Sequence, residues 1–226
     1  MQLVLLHAFP LDGRMWRGQL GLVPGAVRCP TLYQFGNSIA AWATGVLEAM
    51  GEEPAVVVGA SMGGSCALEM ARQHGNRIEG LVLVGAKAGH RPEPAVRDGY
   101  IDLLREGGAA AMWAQVGAEF FGPRADPRVM GETKELALAQ STDDLVKGIE
   151  AFHGRPDLTE VVSSWQKPLL IIDGDHCRSA QHASAMAELA PDGRLQIYRG
   201  CGHFPNLERR RQFNNALAGL IREVSR

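Results

Sequence analysis

The sequence predicts an α/β fold, with a mostly parallel sheet of about six strands, helices on both faces and a helical insertion. Short segments rich in β-branched residues alternate with segments of helical periodicity at both ends of the chain. The strand-like segments are apolar throughout, which is typical of parallel strands that helices cover on both faces. Between residues 88 and 164 only helical stretches occur, broken by Gly and Pro. We therefore expect a core of residues 1–87 and 165–226, with residues 88–164 forming a lid over it.

Four of the predicted strands precede the insertion. They cover residues 2–6, 25–30, 55–58 and 81–84, and the second is the weakest. Helices are predicted between them over residues 39–50 and 63–74. A strand, helix, strand order of this kind implies right-handed crossovers in a parallel sheet.

The insertion and the second part of the core follow. Helices are predicted over residues 94–105, 109–121 and 142–152, with Ser141 and Asp144 forming a capping box. The pattern of the sheet then returns, with strands at 169–172 and 194–198, and helices at 180–189 and 207–224. Asn206 is the expected N-cap of the last helix.

Composition indicates an ordinary globular protein and excludes several function classes. Of the 226 residues, 46% are hydrophobic and 21% charged, and the net charge of −2 gives no support for nucleic-acid binding. The longest apolar runs are strand-sized, so no membrane span is expected. The N-terminus lacks the positive region of a signal peptide, and the four cysteines show no C-x-x-C spacing. We expect a cytoplasmic protein with reduced thiols.

The segment Gly59-Ala60-Ser61-Met62-Gly63 has the pattern G-x-S-x-G. A β-branched strand ends at its first glycine and a helix begins at its last, so a sharp turn should expose the serine at the edge of the sheet. A phosphate-binding loop would usually contain a Lys or a G-x-G-x-x-G spacing, and neither is present. Ser61 is therefore predicted to be a nucleophile.

A serine nucleophile needs a base, and His203 is the predicted one. It lies in a loop of small residues after the last strand, and the order of nucleophile, acidic segment and histidine fits this assignment. An oxyanion hole also needs two backbone N–H groups. We expect them from Met62, which follows the nucleophile, and from Phe9 in the loop after the first strand.

These motifs together resemble the α/β-hydrolase superfamily over nearly the whole chain. The similar segments are His7-Ala8-Phe9-Pro10, residues 32–38, Ser61-Met62-Gly63-Gly64 and Gly202-His203-Phe204-Pro205. Residues 11–16 are similar to 3-oxoadipate enol-lactonase-like and small carboxylesterase-like members. The resemblance implies cleavage of a small-molecule ester or lactone through an acyl-enzyme, without a cofactor.

The sequence departs from the family pattern at the acid. The family carries an Asp after a late strand, often as G-x-x-D, but here Cys177 occupies that position. Asp175 is the first candidate for the acid and Asp173 the second, and either one could instead cap a turn. Cys177, Cys201 and His176 could form a metal set, but their spacing matches no zinc pattern and we expect no metal.

A second departure is the missing antiparallel hairpin before the first strand of the family sheet. The shortened sheet would expose an edge, which makes a homodimer a reasonable hypothesis. In the lid, Met112, Trp113, Phe120 and Phe121 are expected either to line an apolar pocket or only to pack the lid onto the core. A rival to hydrolysis is a catalytically weakened fold that binds a small ligand, because fold alone does not imply function.

Overall fold

The sheet has six strands, and every neighbouring pair is parallel. The computed structural model describes all residues, 1–226. The strand order is β2-β1-β3-β4-β5-β6. The strands are β1 (Gln2–Leu6), β2 (Val27–Arg28), β3 (Ala55–Ala60), β4 (Ile78–Val84), β5 (Leu169–Gly174) and β6 (Gly193–Tyr198). The predicted α/β fold with about six parallel strands is confirmed, although the weak second strand shrinks to two residues.

Nine α-helices accompany the sheet. They are α1 (Ile39–Met50), α2 (Met62–His74), α3 (Pro94–Val116), α4 (Pro127–Leu138), α5 (Thr142–His153), α6 (Thr159–Ser164), α7 (Ala180–Leu189), α8 (Pro205–Glu208) and α9 (Arg210–Val224). The predicted capping of α5 is present, since Ser141 Oγ accepts from the Asp144 amide at 3.1 Å. No helix combines the length and the apolar character needed to cross a lipid bilayer.

Both faces of the four central strands, β1, β3, β4 and β5, are buried, as uniformly apolar strands predict, whereas the edge strands β2 and β6 are partly exposed. In β1, Val4 and Leu6 join the core cluster that contains Trp42, while Leu3 and Leu5 join the opposite cluster. Each fully buried large apolar side chain contributes about 1.5–3 kcal/mol relative to exposure. The packing of these apolar side chains therefore fixes the positions of the strand ends.

The two helices predicted over residues 94–105 and 109–121 correspond to two helical stretches within α3, on either side of a kink at Gly108. This glycine adopts the non-helical φ 61° and ψ −159°. The helix then continues to Val116 and is followed by a 3₁₀ turn, Gly117–Phe120.

Sequence reasoning missed helices α4 and α6 and misplaced the start of the last helix. Helix α4 begins at Pro127 and is capped by Asp126, whose Oδ1 accepts from the Arg128 amide at 2.9 Å. The Asp-Pro pair was a usable signal, but only Thr133 and Ala137 of this helix are buried, so its apolar periodicity is weak. Asn206 is not an N-cap, because it lies inside α8.

The helices α3 to α6 all lie between β4 and β5, where the insertion is predicted. The Gln140 side chain, just after α4, donates to Asp12 Oδ2 at 2.8 Å and so ties this segment to the loop after β1. The division into core and lid, and the homodimer at a sheet edge, stay predictions.

The role of Gly108 in the bend of α3 can be tested by substitution. Gly108→Ala should destabilise the protein by about 1–3 kcal/mol, because Ala is strained at this positive φ while its Cβ meets only Thr142 Oγ1, at 3.5 Å. The matched control is Gly99→Ala in the same helix, where a Cβ meets nothing within 4 Å. That control should be neutral or stabilising by about 0.4–1 kcal/mol. Urea unfolding measures both, and equal midpoints for the two variants would contradict the strained bend.

Candidate active site

Ser61 occupies the sharp turn between β3 and α2. Its backbone has φ 52° and ψ −115°, and it is the only non-glycine residue with positive φ. Such strain costs about 1–3 kcal/mol and persists only where the surroundings hold it. Here the Ser61 amide donates to the Val84 carbonyl at 2.8 Å, and the Ser61 carbonyl accepts from the Gly64 amide at 2.9 Å. The predicted strand-to-helix turn is therefore present.

Helix α2 begins directly against the end of β1. A Cβ on Gly63 would overlap the carbonyl oxygens of Leu6 and His7, so only glycine permits this approach. The approach brings the loop after β1 beside Ser61. Phe9 from that loop lines the same cavity as Ser61 and Met62.

Two backbone amides in this cavity fit the predicted oxyanion hole. Met62 is the first residue of α2, where N–H groups have no intrahelical acceptor. The Phe9 amide makes no backbone hydrogen bond. Both amides are free to donate to an oxygen atom next to Ser61, although this role stays a prediction.

His7 fixes the loop that carries Phe9. Its Nε2 accepts from the Leu32 amide at 2.8 Å and its Nδ1 lies 3.2 Å from the Ala8 carbonyl oxygen. Burial lowers the pKa of His7 to about 4, so the ring is neutral and can satisfy both contacts. This histidine is a structural element of the loop.

His203 lies in the loop between β6 and α8 and lines a cavity of about 370 Å³ together with Ser61. Its amide donates to the Phe120 carbonyl at 2.8 Å, and the Phe120 ring stacks on the imidazole at a centroid distance of 5.7 Å. Burial lowers the pKa of His203 to about 4. The ring is therefore neutral near pH 7 and able to accept a proton.

Sequence reasoning missed Glu208. This residue connects the loop of residues 199–204, which carries His203 and is called the base loop below, to the segment after α3. Its Oε1 accepts from the Gly202 amide at 2.8 Å and its Oε2 accepts from the Gly122 amide at 3.0 Å. One carboxylate thus satisfies two loop amides that would otherwise be unpaired. The available signal was a Glu in the first helical turn after a glycine-rich loop.

Cys177 is the residue that contacts Nδ1 of His203, the predicted base. Its Sγ lies 2.9 Å from His203 Nδ1. The structure does not bring Asp175 to the histidine, because Asp175 Oδ1 accepts from the amides of Gly200 and Cys201 at 2.7 and 3.3 Å. Asp175 therefore caps the base loop, and its assignment as the acid that contacts the base is corrected.

Asp173, the second candidate for the acid, is completely buried at the end of β5. Its Oδ1 accepts from the Gly174 amide at 2.9 Å, and its Oδ2 accepts from Ser179 Oγ at 2.7 Å. Ser179 Oγ in turn lies 2.9 Å from Cys177 Sγ. Burial raises the pKa of Asp173, and the hydrogen bonds from its neighbours oppose that effect. Asp173 is also a side-chain hydrogen-bond partner of Cys177, so it is linked to His203 through Cys177, both directly and by way of Ser179.

Two cavities meet at Ser61 and differ in character. The smaller, about 190 Å³, is mainly apolar, and the larger contains most of the charged groups. Of the predicted pocket residues, Met112 and Phe120 line the smaller cavity. The apolar residues that sequence reasoning missed there are Tyr100, Val116, Ile149 and Phe152. The charged or basic residues of the larger cavity are Lys87, Glu119, Arg178 and His182.

Trp113 and Phe121 line neither cavity, which corrects their assignment to the pocket. Trp113 packs against Phe120 and Phe121 at centroid distances of 6.1 and 6.3 Å. Phe121 packs against Phe204 at 6.0 Å. These two side chains attach the segment after α3 to the core, which is the packing alternative stated for them from the sequence.

No grouping of three or more His, Cys, Asp or Glu side chains could hold a metal ion. All four cysteines are free, including Cys177 and Cys201. The groups that line the cavity with Ser61 include an imidazole, a thiol and charged side chains.

A model of the alpha/beta hydrolase family matches residues 3–216. This chain belongs to the α/β-hydrolase family. Among curated relatives, it is 29% identical to a pimeloyl-[acyl-carrier protein] methyl ester esterase of Aromatoleum aromaticum, over 91% of this chain and 92% of that protein. It is 25% identical to a non-heme chloroperoxidase of Kitasatospora aureofaciens, over 88% of this chain and 84% of that protein.

Solved structures of the same fold include two hydrolases. A thermophilic esterase from Thermogutta terrifontis superposes with a TM-score of 0.89 at 24% identity, covering 99% of this chain and 90% of that one. An enol-lactonase from Burkholderia xenovorans gives a TM-score of 0.84 at 21% identity, covering 97% and 91%. At these identities the similarity shows the fold, and the family membership supports a hydrolase.

Removing the carboxylate of Glu208 should loosen the base loop. Glu208→Ala leaves the Gly122 and Gly202 amides without their acceptor, which should cost about 1–3 kcal/mol of stability and slow the labelling of Ser61 by a fluorophosphonate. Urea unfolding and intact-mass kinetics measure the two effects. Glu208→Gln keeps one acceptor oxygen and should lose less, while Glu188→Ala on the surface should change neither quantity. A Glu208→Ala variant as stable and reactive as the wild type would remove this role.

The low pKa of His203 predicts that Ser61 still reacts with a fluorophosphonate at unusually low pH. The rate of fluorophosphonate labelling should be nearly constant from about pH 5 to about pH 8 and half-maximal near pH 4, because the neutral base persists to that pH. A midpoint between about pH 6 and 7 would contradict a buried, neutral base.

The fold itself must be monitored in that experiment by circular dichroism. Unfolded histidines take up protons below pH 6.5, whereas His7 and His203 in the folded protein do so only near pH 4. Between these values the unfolded state binds more protons than the native state, so stability falls as the pH is lowered.

Proposed function

We propose that this protein is a serine esterase or lactonase that works through an acyl-enzyme intermediate. The observation that carries the proposal is the strained turn that presents Ser61 to cavities also lined by His203, Phe9 and Met62. A nucleophile, a base and two amide donors at one place are the parts that acyl transfer requires. The esterases among its relatives support the same class of reaction.

The first half of the reaction is attack on the carbonyl carbon of the substrate. His203 Nε2 accepts the proton of Ser61 as Oγ forms the new bond, and the carbonyl oxygen becomes an oxyanion. The amides of Phe9 and Met62 donate to that oxygen, and each such donor is typically worth about 2.7–4 kcal/mol in the transition state. The tetrahedral intermediate then collapses as His203 returns the proton to the leaving alcohol.

The second half repeats the same steps with water. His203 accepts a proton from water as its oxygen attacks the acyl carbon, and the proton returns to Ser61 Oγ when the acid leaves. No cofactor takes part. The same imidazole serves both halves, so its position controls both rates.

We assign each half of the substrate to one of the two cavities from the residues that line them. The smaller cavity, with Phe9 and Met62, is mainly apolar and suits the acyl chain. The larger cavity contains His203, which must protonate the leaving group, so the alcohol side belongs there. At about 190 Å³ the apolar cavity suits a short acyl group or a small lactone ring.

A ligand-binding protein is the second candidate function, and Cys177 is the observation that favours it. Burial raises the pKa of this thiol to about 12, so the group next to His203 is neutral. A neutral neighbour stabilises the imidazolium of the transition state less than a carboxylate does. A bound ester that stays intact would be the mark of this alternative.

Labelling with a fluorophosphonate, followed by intact mass, tests the first proposal. We expect one adduct on the wild type, no adduct on Ser61→Ala, and a loss of about 10⁴–10⁶-fold in the hydrolysis of short p-nitrophenyl esters. Ser65→Ala, four residues along the same helix and facing the core, is the matched control and should label normally. A folded wild type that takes no adduct would overturn the proposal in favour of the binding protein.

A further inference from the structure

A continuous line of short contacts leads from the base into the interior. His203 Nδ1 lies 2.9 Å from Cys177 Sγ, Cys177 Sγ lies 2.9 Å from Ser179 Oγ, and Ser179 Oγ lies 2.7 Å from Asp173 Oδ2. Asp173 is fully buried, while Cys177 and Ser179 are each 9% exposed. Asp173 is therefore shielded from water, whereas Cys177 and Ser179 also line the larger cavity at Ser61.

Counting protons fixes the direction of each contact. An ionised Asp173 can only accept, so the single proton of Ser179 must go to it. The single thiol proton of Cys177 then goes to Ser179 or directly to Asp173, which is also a side-chain hydrogen-bond partner of Cys177. Cys177 has no second proton to give, so its sulfur must accept from His203 Nδ1. This arrangement leaves Nε2 of His203 without a proton, which is the form that can act as a base toward Ser61.

We propose that Asp173 acts as the remote acid of this site and positions His203 through a relay of Ser179 and Cys177. The inference rests on the proposed serine hydrolase function. Asp173, Ser179 and Cys177 are positioning residues, because none of them contacts the reacting atoms. The relay replaces the direct carboxylate to imidazole contact that Cys177 interrupts.

The hydrogen bonds of the relay can run from His203 toward Asp173 or from Asp173 toward His203. The charge of Asp173 decides which of these two directions is adopted. If Asp173 carried a proton, each hydrogen bond could reverse, and the Cys177 thiol would donate to Nδ1. The proton of the neutral ring would then sit on Nε2, where it blocks the base. The other titratable groups with an electrostatic effect on Asp173 are His182 and Cys201. The high pKa of Cys177 keeps its thiol protonated, and the proton count given above requires that proton.

Nitrogen NMR of ¹⁵N-histidine-labelled protein tests the relay without any substrate. At pH 7 the wild type should show His203 protonated on Nδ1. Asp173→Asn, whose amide can donate to Ser179, should shift the proton to Nε2. A wild-type ring protonated on Nε2 would overturn the relay. This readout does not depend on turnover, so its failure is distinguishable from a failure of Ser61 to label.

Kinetics provide the second test. Asp173→Asn should lower kcat by about 10²–10⁴-fold with KM within about threefold, because the tautomer of the base is wrong. Ser179→Ala and Cys177→Ala break the relay and should lower kcat at least tenfold. Cys177→Ser restores a group with one proton and should recover most of the loss in Cys177→Ala. Asp175→Asn, which keeps the capping oxygen, is the matched control and should leave kcat within about threefold.

Cys177→Asp offers a test by gain of function. It places a carboxylate at hydrogen-bond distance from Nδ1, so kcat should rise and the acid limb of the pH profile should move upward by more than one pH unit. If buried Asp173→Asn does not fold, Cys177→Ala and the tautomer of the wild type still decide the matter. Equal losses in Asp175→Asn and Asp173→Asn, or an unchanged kcat in Cys177→Ala, would overturn the proposal.

Discussion

The parallel alignment of the six strands is the constraint on which the site depends. Parallel strands direct all their carboxyl ends to one edge of the sheet, and ligands bind outside that edge in open α/β sheets. The ends of β1, β3, β5 and β6 thus supply Phe9, Ser61, Cys177 and His203. Ser61 and His203 are distant in the chain but line the same cavity, because the strands β3 and β6 both end at this edge. The apolar residues that bury both faces of the sheet hold this arrangement.

The parts of the site that the sequence predicts are those with a local signature. Ser61 follows from a strand, a glycine pattern and a helix, and His203 follows from its place after the last strand. The α/β fold follows from apolar segments of strand length. The role of Asp175 could not be predicted, because whether a loop carboxylate points to a ring or to the Gly200 amide depends on the packing of two loops. Helix α4 was not predicted from the sequence, because few of its residues are buried and its apolar periodicity is weak.

Replacing a carboxylate by a thiol changes the electrostatics of the base more than its geometry. Cys177 Sγ occupies the contact position at Nδ1, so the ring is still oriented. The nearest buried negative charge lies on Asp173, beyond Ser179, and Coulomb attraction weakens with that separation. Burial without a direct counter-charge is the reason that the pKa of His203 falls to about 4. His203 is therefore neutral near pH 7, and its protonated form is poorly stabilised.

The contacts of the base loop also govern how substrate can enter. Phe120 accepts from the His203 amide and stacks on its ring, while Glu208 holds Gly202 and Gly122 together. The segment around Phe120 and the loop that carries His203 are thus held together. If residues 88–164 form the proposed lid, a motion that carried Phe120 outward would also draw the imidazole away from Ser61. Substrate would then have to enter past parts of residues 88–164 that are not attached to this loop.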